Sequence, residues 1–458
     1  MGITQHLAAF CASTSLKTLP PEVVDRTRLL ILDLVGNIVR ARVESDSTPS
    51  LLSAVAALGL GTGEHRVFGD AATYSPVGAA LVNATLAHSL DFDDTHAAGT
   101  LHPGAPVVPA AIAAGEMVNA SGADVLAAIV SGYEVACRLA VALPAGEHYQ
   151  RGFHPTATCG AFGAAAAAAR VFGLSADGVA SALGIALSQS AGRLQFLVNG
   201  AWTKRFQVGW SSMAGLSAAT LAREGFKGAS EAIEGKHGFL TGYAPNPTPA
   251  RVVQDLGHVF ELMATGVKPY PSCRFGHAGI DAILAIRAEH KLKPEEVDSI
   301  TYGLSTAGML LVGAPADKKA NPLNTVDAQF SGPFVLSAAL ATGQMAWDSY
   351  ALLNDPVIRS LLPKVRCEHD AEIEAEYPAN LSGNTTIKAR GTVFKKKVII
   401  PKGEPDNFFS AAELRGKFMQ LSEPSLGKPL AEKLAHAILK FDDIANVNDF
   451  MRQVAIPR

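Results

Sequence analysis

The chain has 458 residues, too many for one small core, so two or three domains are expected. Hydrophobic residues make up 48% and charged residues 18%, which excludes a disordered chain and points to well-packed domains with apolar surface left for a partner subunit. A formal net charge of -3 gives no reason to expect nucleic acid or an anionic membrane as partner.

Five scattered cysteines, Cys11, Cys137, Cys159, Cys273 and Cys367, contain no C-x-x-C and read as reduced thiols. "MGITQHLAAF" lacks the basic segment and apolar core of a signal peptide, so a cytoplasmic protein is expected. In "LPPEVVDRTRLLILDLVGNIV", Pro20, Pro21 and Glu22 open a helix. Leu30, Ile31, Leu34, Val35 and Ile38 form its apolar face, with Asp33 off that face. "GAALVNATLAHSL", "PVVPAAIAAGEMV", "GADVLAAIVSGYEVACRLAVAL" and "SADGVASALGIALSQSAG" continue the helical pattern. "TATCGAFGAAAAAARVFGL" is long and apolar, but alanine, glycine and Arg170 favour one or two buried helices over a membrane span. Near residue 266 the character changes. "VDSITYGLS" alternates as a strand, and "VRCEHDAEIEAEYP" alternates from Val365 onward. "GNTTIKARGTVFKKKVIIPKG" reads as a hairpin, and the tail is helical again. The expected fold is mainly α. A large all-helical domain is built from residues 1–265 and 401–458, with a smaller α+β domain, 266–400, inserted between them.

Four clusters carry candidate chemistry. "LDFDDTHAAGTLHPG", Leu90–Gly104, crowds Asp91, Asp93, Asp94, His96 and His102 into an apolar setting. The spacing fits neither H-E-x-x-H nor an EF-hand loop, so no metal is expected. The plain alternative is a helix cap and a polar turn. "RGFHPTATCGAFG" puts His154 and Thr156 at a helix start, where free backbone N–H groups suit a substrate carboxylate. In "NGAWTKRFQVGWSSMAG", Lys204 and Arg205 lie among aromatics and suit anion recognition; a snorkelling surface lysine is the plain alternative. "GVKPYPSCRFGHAG" holds Lys268, Arg274 and His277 around two prolines and Cys273, which reads as a buried thiol rather than a nucleophile. No Walker lysine, dinucleotide fingerprint or G-x-S-x-G elbow occurs, so no nucleotide or other cofactor is expected.

Taken in order, "DFDDTH…HPG", "GFHPTAT", "WTKR", "KPYPSC" and "DAQFSGPF" give a chain that resembles the MmgE/PrpD family over nearly its whole length. That family includes 2-methylcitrate dehydratase, cis-aconitate decarboxylase and iminodisuccinate epimerase. The resemblance implies a helical domain from both chain ends, an inserted α+β domain, a homodimer and metal-free catalysis. It places site positions on Asp91, Thr95, His102, His154, Lys204 and Lys268. The subfamily stays open, because "LHPGAP" replaces a "GHPSDN"-like run and no clear tyrosine match lies in 311–322. The implied activity is a cofactor-independent lyase, hydro-lyase or decarboxylase, on a small di- or tricarboxylate. The alternative is an epimerase of an imino- or amino-dicarboxylate. Lys204 and Lys268 are expected to hold carboxylates and His102 and His154 to exchange protons. Asp91 would orient or tune a histidine and Thr95 would donate a hydrogen bond.

Overall fold

Pro20 and Pro21 open the longest helix, Pro21–Glu44, where missing N–H groups cost no intrahelical bond. The computed structural model describes residues 1–198 and 200–454. The chain divides into two units: Met1–Val267 with Ser410–Arg458, and Lys268–Phe409. The architecture is mainly α.

In the first unit the buried helix Pro155–Val171 packs against Gly104–Val118, Gly122–Ala142 and Thr203–Arg223. Its alanines remove side-chain bulk, so neighbouring backbones approach closely. Gly132 and Gly163 mark one close crossing: a Cβ on either would lie 2.7 Å from the other's carbonyl oxygen. The apolar stretch of sequence from Thr156 forms this one helix. Among the described residues one helix, Gly122–Ala142, is long and apolar enough to cross a membrane, and its apolar stretch is buried inside the unit.

The unit is not purely helical. Two two-residue ribbons pair His65–Arg66 with Thr73–Tyr74, and Thr95–His96 with Thr265–Gly266. The C-terminal helix Ala411–Leu426 returns against Pro21–Glu44. It corrects the reading of Asp33, which is buried rather than off the packed face: Lys417 Nζ lies 2.5 Å from Asp33 Oδ1 and donates to the Phe92 carbonyl at 3.1 Å. Asn37 Nδ2 donates to the same carbonyl at 3.2 Å. A buried charge pair thus fixes the loop that begins the first polar cluster.

The second unit centres on a four-stranded sheet. Its order is Val365–His369, Val297–Leu304, Gly383–Ala389, Thr392–Val398; the first pair is parallel and the others antiparallel. Helices His277–His290 and Gly332–Thr342 bury Ile280, Ile283, Phe334 and Leu336 with Ile300, Tyr302 and Ile387 of the sheet, about 1.5–3 kcal/mol for each large apolar side chain fully buried. The alternation after Val365 gives a strand of five residues only. Asp370 then caps a helix, Ala371–Glu376, by accepting from Glu372 N and Ile373 N. Residues 401–409 stay with this unit: Lys402 N donates to Asp281 Oδ2 at 2.8 Å, and Glu404 pairs with Arg274.

Candidate active site

The helix Pro76–Ala87 ends at His88, and the chain then turns into Leu90–Gly104. Asp91 sits at φ +53°, a left-handed conformation that costs a non-glycine residue about 1–3 kcal/mol and that clusters at functional sites. Alternate carboxylates then face different partners. Asp91 Oδ1 lies 2.6 Å from Lys204 Nζ. Asp93 Oδ2 lies 2.7 Å from His88 Nδ1 and 3.6 Å from His102 Nδ1. The carboxylate beside the histidine pair is therefore that of Asp93, while Asp91 serves the lysine. Asp94 supports the next helix: its Oδ1 accepts from Gly104 N at 3.2 Å and its Oδ2 from Tyr133 Oη at 2.6 Å. Gly104 is required there, since a Cβ would sit 2.4 Å from Tyr133 Oη. Burial, with the charges of Asp93 and Asp33 adding, pushes the Asp94 carboxyl up to about 8 against the Tyr133 and Gly104 hydrogen bonds.

Three imidazoles form a row. The His88 ring lies 4.7 Å, edge-on, from His102 and 5.9 Å from His154. Hydrogen bonds fix two tautomers. His102 Nδ1 is 2.7 Å from the Asp94 carbonyl, which only accepts, so Nδ1 carries a proton and Nε2 is the exchanging position. Gln207 Oε1 accepts from Arg193 N at 2.8 Å and its Nε2 donates to Arg193 O at 3.1 Å, which sets the amide orientation. That same Nε2 donates to His154 Nδ1 at 3.1 Å, so neutral His154 carries its proton on Nε2. Burial, then the adjacent His88 and Lys204, hold His154 well below the ordinary histidine range, so it is neutral at pH 7. For Lys204, burial opposes the charge, but the Asp91 carboxylate outweighs it and raises the pKa; the lysine stays cationic.

Thr95 Oγ1 is buried without a hydrogen-bond partner in the protein, an arrangement that costs about 1–3 kcal/mol unless a ligand or water meets it. Thr156, at the start of Pro155–Val171, accepts from His102 N at 3.1 Å. The first unit thus brings together Asp91, His102, His154 and Lys204, with Thr95 on the same loop. Lys268 is the first residue of the second unit and is buried. Arg205 turns to Ser45 and Ser47 instead, at 2.9 and 3.1 Å. His96 is a support, with Nε2 3.0 Å from Glu261 Oε2 and Nδ1 accepting from Gly99 N at 3.1 Å. Cys273 is buried in the second unit's core.

Sequence reasoning missed His88 and Gln207. His88 closes an apolar helix and reads as an ordinary last-turn histidine; its one signal is its place three residues before the acidic run. Among the described residues His88, Asp93 and His102 form the one group close enough to share a metal ion, with ligand atoms within 4.8 Å of one another. Using Nδ1 of both rings would require displacing the protons that now bridge to Asp93 and to the Asp94 carbonyl.

Two family models cover most of the chain: the MmgE/PrpD N-terminal domain over residues 5–251 and the MmgE/PrpD C-terminal domain over 270–443. A cis-aconitate decarboxylase-like protein of Aspergillus oryzae is 26% identical over 99% of this chain and 97% of its own length. The cis-aconitate decarboxylase of Aspergillus terreus is 24% identical over 100% of this chain and 96% of its own, and that of Mus musculus 26% over 100% and 94%. Fold and relatives define an enzyme of the dehydratase or decarboxylase type. The chain belongs to the MmgE/PrpD family.

Proposed function

We propose that this protein decarboxylates a small unsaturated tricarboxylate, with cis-aconitate as first candidate, by proton transfer from its own side chains and without a cofactor. The observation that carries the reading is the pairing of opposite tautomers, an exchanging Nε2 on His102 and a fixed Nε2–H on His154, beside a cationic Lys204. Cis-aconitate is a β,γ-unsaturated acid. The bond to the departing carboxylate breaks and its electron pair forms a new C=C. The old π pair moves to the far carbon, where a second carboxylate shares the charge, and a proton is taken there. The products are CO₂ and a dicarboxylate with a terminal methylene.

His102 delivers the proton from Nε2. Neutral His154 is a poor proton carrier but a fixed donor, so it holds its N–H against the developing negative charge. Lys204 neutralises a carboxylate, Thr95 Oγ1 donates to another, and Asp91 keeps the lysine charged and in place. Lys268 supplies a second cation, a role that rests on the "KPYPSC" motif. The working form is a cytoplasmic homodimer: exposed Trp202, Phe206 and Trp210 on and beside one helix support a covered apolar face, and sedimentation should give twice 47.7 kDa.

The test is NMR in D₂O with cis-aconitate, citrate, 2-methylcitrate and iminodisuccinate. Loss of CO₂ from cis-aconitate with one deuterium at the protonated carbon is expected, unchanged by EDTA. Water loss from citrate or 2-methylcitrate instead would make the enzyme a hydro-lyase, and exchange without net loss would make it an epimerase; either overturns the reading.

A further inference from the structure

Asp93 and His88 are fully buried, take no part in the chemistry above, and yet form a 2.7 Å polar contact beside the proton carrier. One oxygen, Asp93 Oδ2, is 2.7 Å from His88 Nδ1 and 3.6 Å from His102 Nδ1. The carboxylate only accepts, so His88 donates from Nδ1. An apolar ring at position 88 would fill the same space but remove this donor, and a buried carboxylate stripped of a donor takes up a proton. His88 also fills the gap in the imidazole row, edge-on to His102. Fully buried charge and an aromatic packed edge-on are costly to assemble for support alone; simple support is what Asp94 and Tyr133 provide one residue on.

We propose that His88 and Asp93 are positioning residues for proton transfer: His88 keeps the Asp93 carboxylate ionised, and that carboxylate, with the Asp94 carbonyl, orients His102 and sets how firmly it holds its exchanging proton. The inference rests on His102 as proton carrier but not on the substrate. Other charged groups face the pair from neighbouring elements: His154, Lys204 with its partner Asp91, Asp94, and the Asp33–Lys417 pair beneath Phe92. None of these is substituted in the variants below.

Asp93→Asn keeps the shape and removes the charge. It should lower kcat about 10–100-fold, as loss of outer support does at other sites, with KM within about threefold. Without the anion His102 gives up its proton more readily, so the high-pH limb of the rate profile should move down by about one pH unit. The His102 imidazole signal, assigned by its loss in His102→Gln, should titrate at correspondingly lower pH. His88→Phe should behave alike with Asp93 in place, and Asp93→Glu should recover most of the shift. A His102 titration and rate limb that stay put in both variants, with only the melting temperature falling, would overturn the proposal. The NMR titration separates the two claims. If the midpoint moves but cis-aconitate is not consumed, the decarboxylase reading fails and the positioning role stands; if cis-aconitate is consumed and the midpoint stays, the reverse holds.

Discussion

Two Lys–Asp pairs in the first unit have nearly the same geometry and opposite surroundings. Lys417–Asp33 closes at 2.5 Å with side chains 7% and 1% exposed, and Lys204–Asp91 at 2.6 Å with 27% and 14%. The first is sealed between two helices, sits 3.6 Å over the Phe92 ring and also donates to the Phe92 carbonyl. The second is reachable, stands on a left-handed aspartate, and has neutral His154 for a neighbour. Ion-pair distance therefore says nothing about role. A cation whose surroundings are closed by protein groups holds the loop in place; one left partly open on a strained backbone is set to meet an anion.

The sharpest way to break this comparison is to cut each pair. Lys417→Met leaves Asp33 charged and buried, which should cost about 3–5 kcal/mol in urea unfolding. Adding Asp33→Leu should recover most of that, because the penalty lies in the orphaned charge. Turnover per folded molecule should survive better than stability does. Lys204→Ala should do the opposite. Loss of one charge stabiliser lowers kcat about 10²–10³-fold, while a partly exposed pair contributes only about 0–1 kcal/mol to folding. If Lys204→Ala proves the more destabilising, the division between holding and binding pairs collapses.

Much of this was readable in the sequence, and the failures have physical causes. Helical periodicity located the apolar faces, and strand alternation located Val297–Leu304 and the hairpin Gly383–Val398. "HDAEIEAE" misled because alternation of charged and apolar residues also fits a short helix; Asp370 as a cap was the missed cue. Within "DFDD" the residue types announced chemistry, but partner choice did not follow from them. The positive φ at Asp91 sends its carboxylate to Lys204, and the next carboxylate, that of Asp93, meets His88. Asp33 looked misplaced because its partner lies 384 positions away, on a helix the chain reaches only at its end. Long-range pairing of this kind leaves no local pattern.

A smaller effect would sharpen the contrast between binding and supporting groups on one loop. Thr95→Val removes a buried hydroxyl that has no protein partner. Folding should hold or gain, since an unpaired buried polar group costs about 1–3 kcal/mol. If that hydroxyl meets substrate, kcat/KM should fall about three- to tenfold, the worth of one hydrogen bond. A stability loss with unchanged kinetics would make Thr95 a support like His96.

The least effect on turnover is expected from Asp94→Asn, and its signature lies in pH. Asp94 titrates at about 8 in the folded protein, against an ordinary value of 3.8. The folded chain therefore keeps a proton that the unfolded chain releases. Stability from this group is complete below about pH 4 and declines as pH rises through 8. Asparagine has no such proton. It can accept from Gly104 N and donate to Tyr133 Oη, so the start of Gly104–Val118 keeps its anchor, and the Asp94 backbone carbonyl still receives His102 Nδ1. Urea unfolding of both proteins at pH 5 and pH 8 should show a flatter dependence in Asp94→Asn, with kcat little changed. Parallel curves would mean that Asp94 is ionised in the folded protein, and a large fall in kcat would move it from the supporting side of the loop to the reacting side.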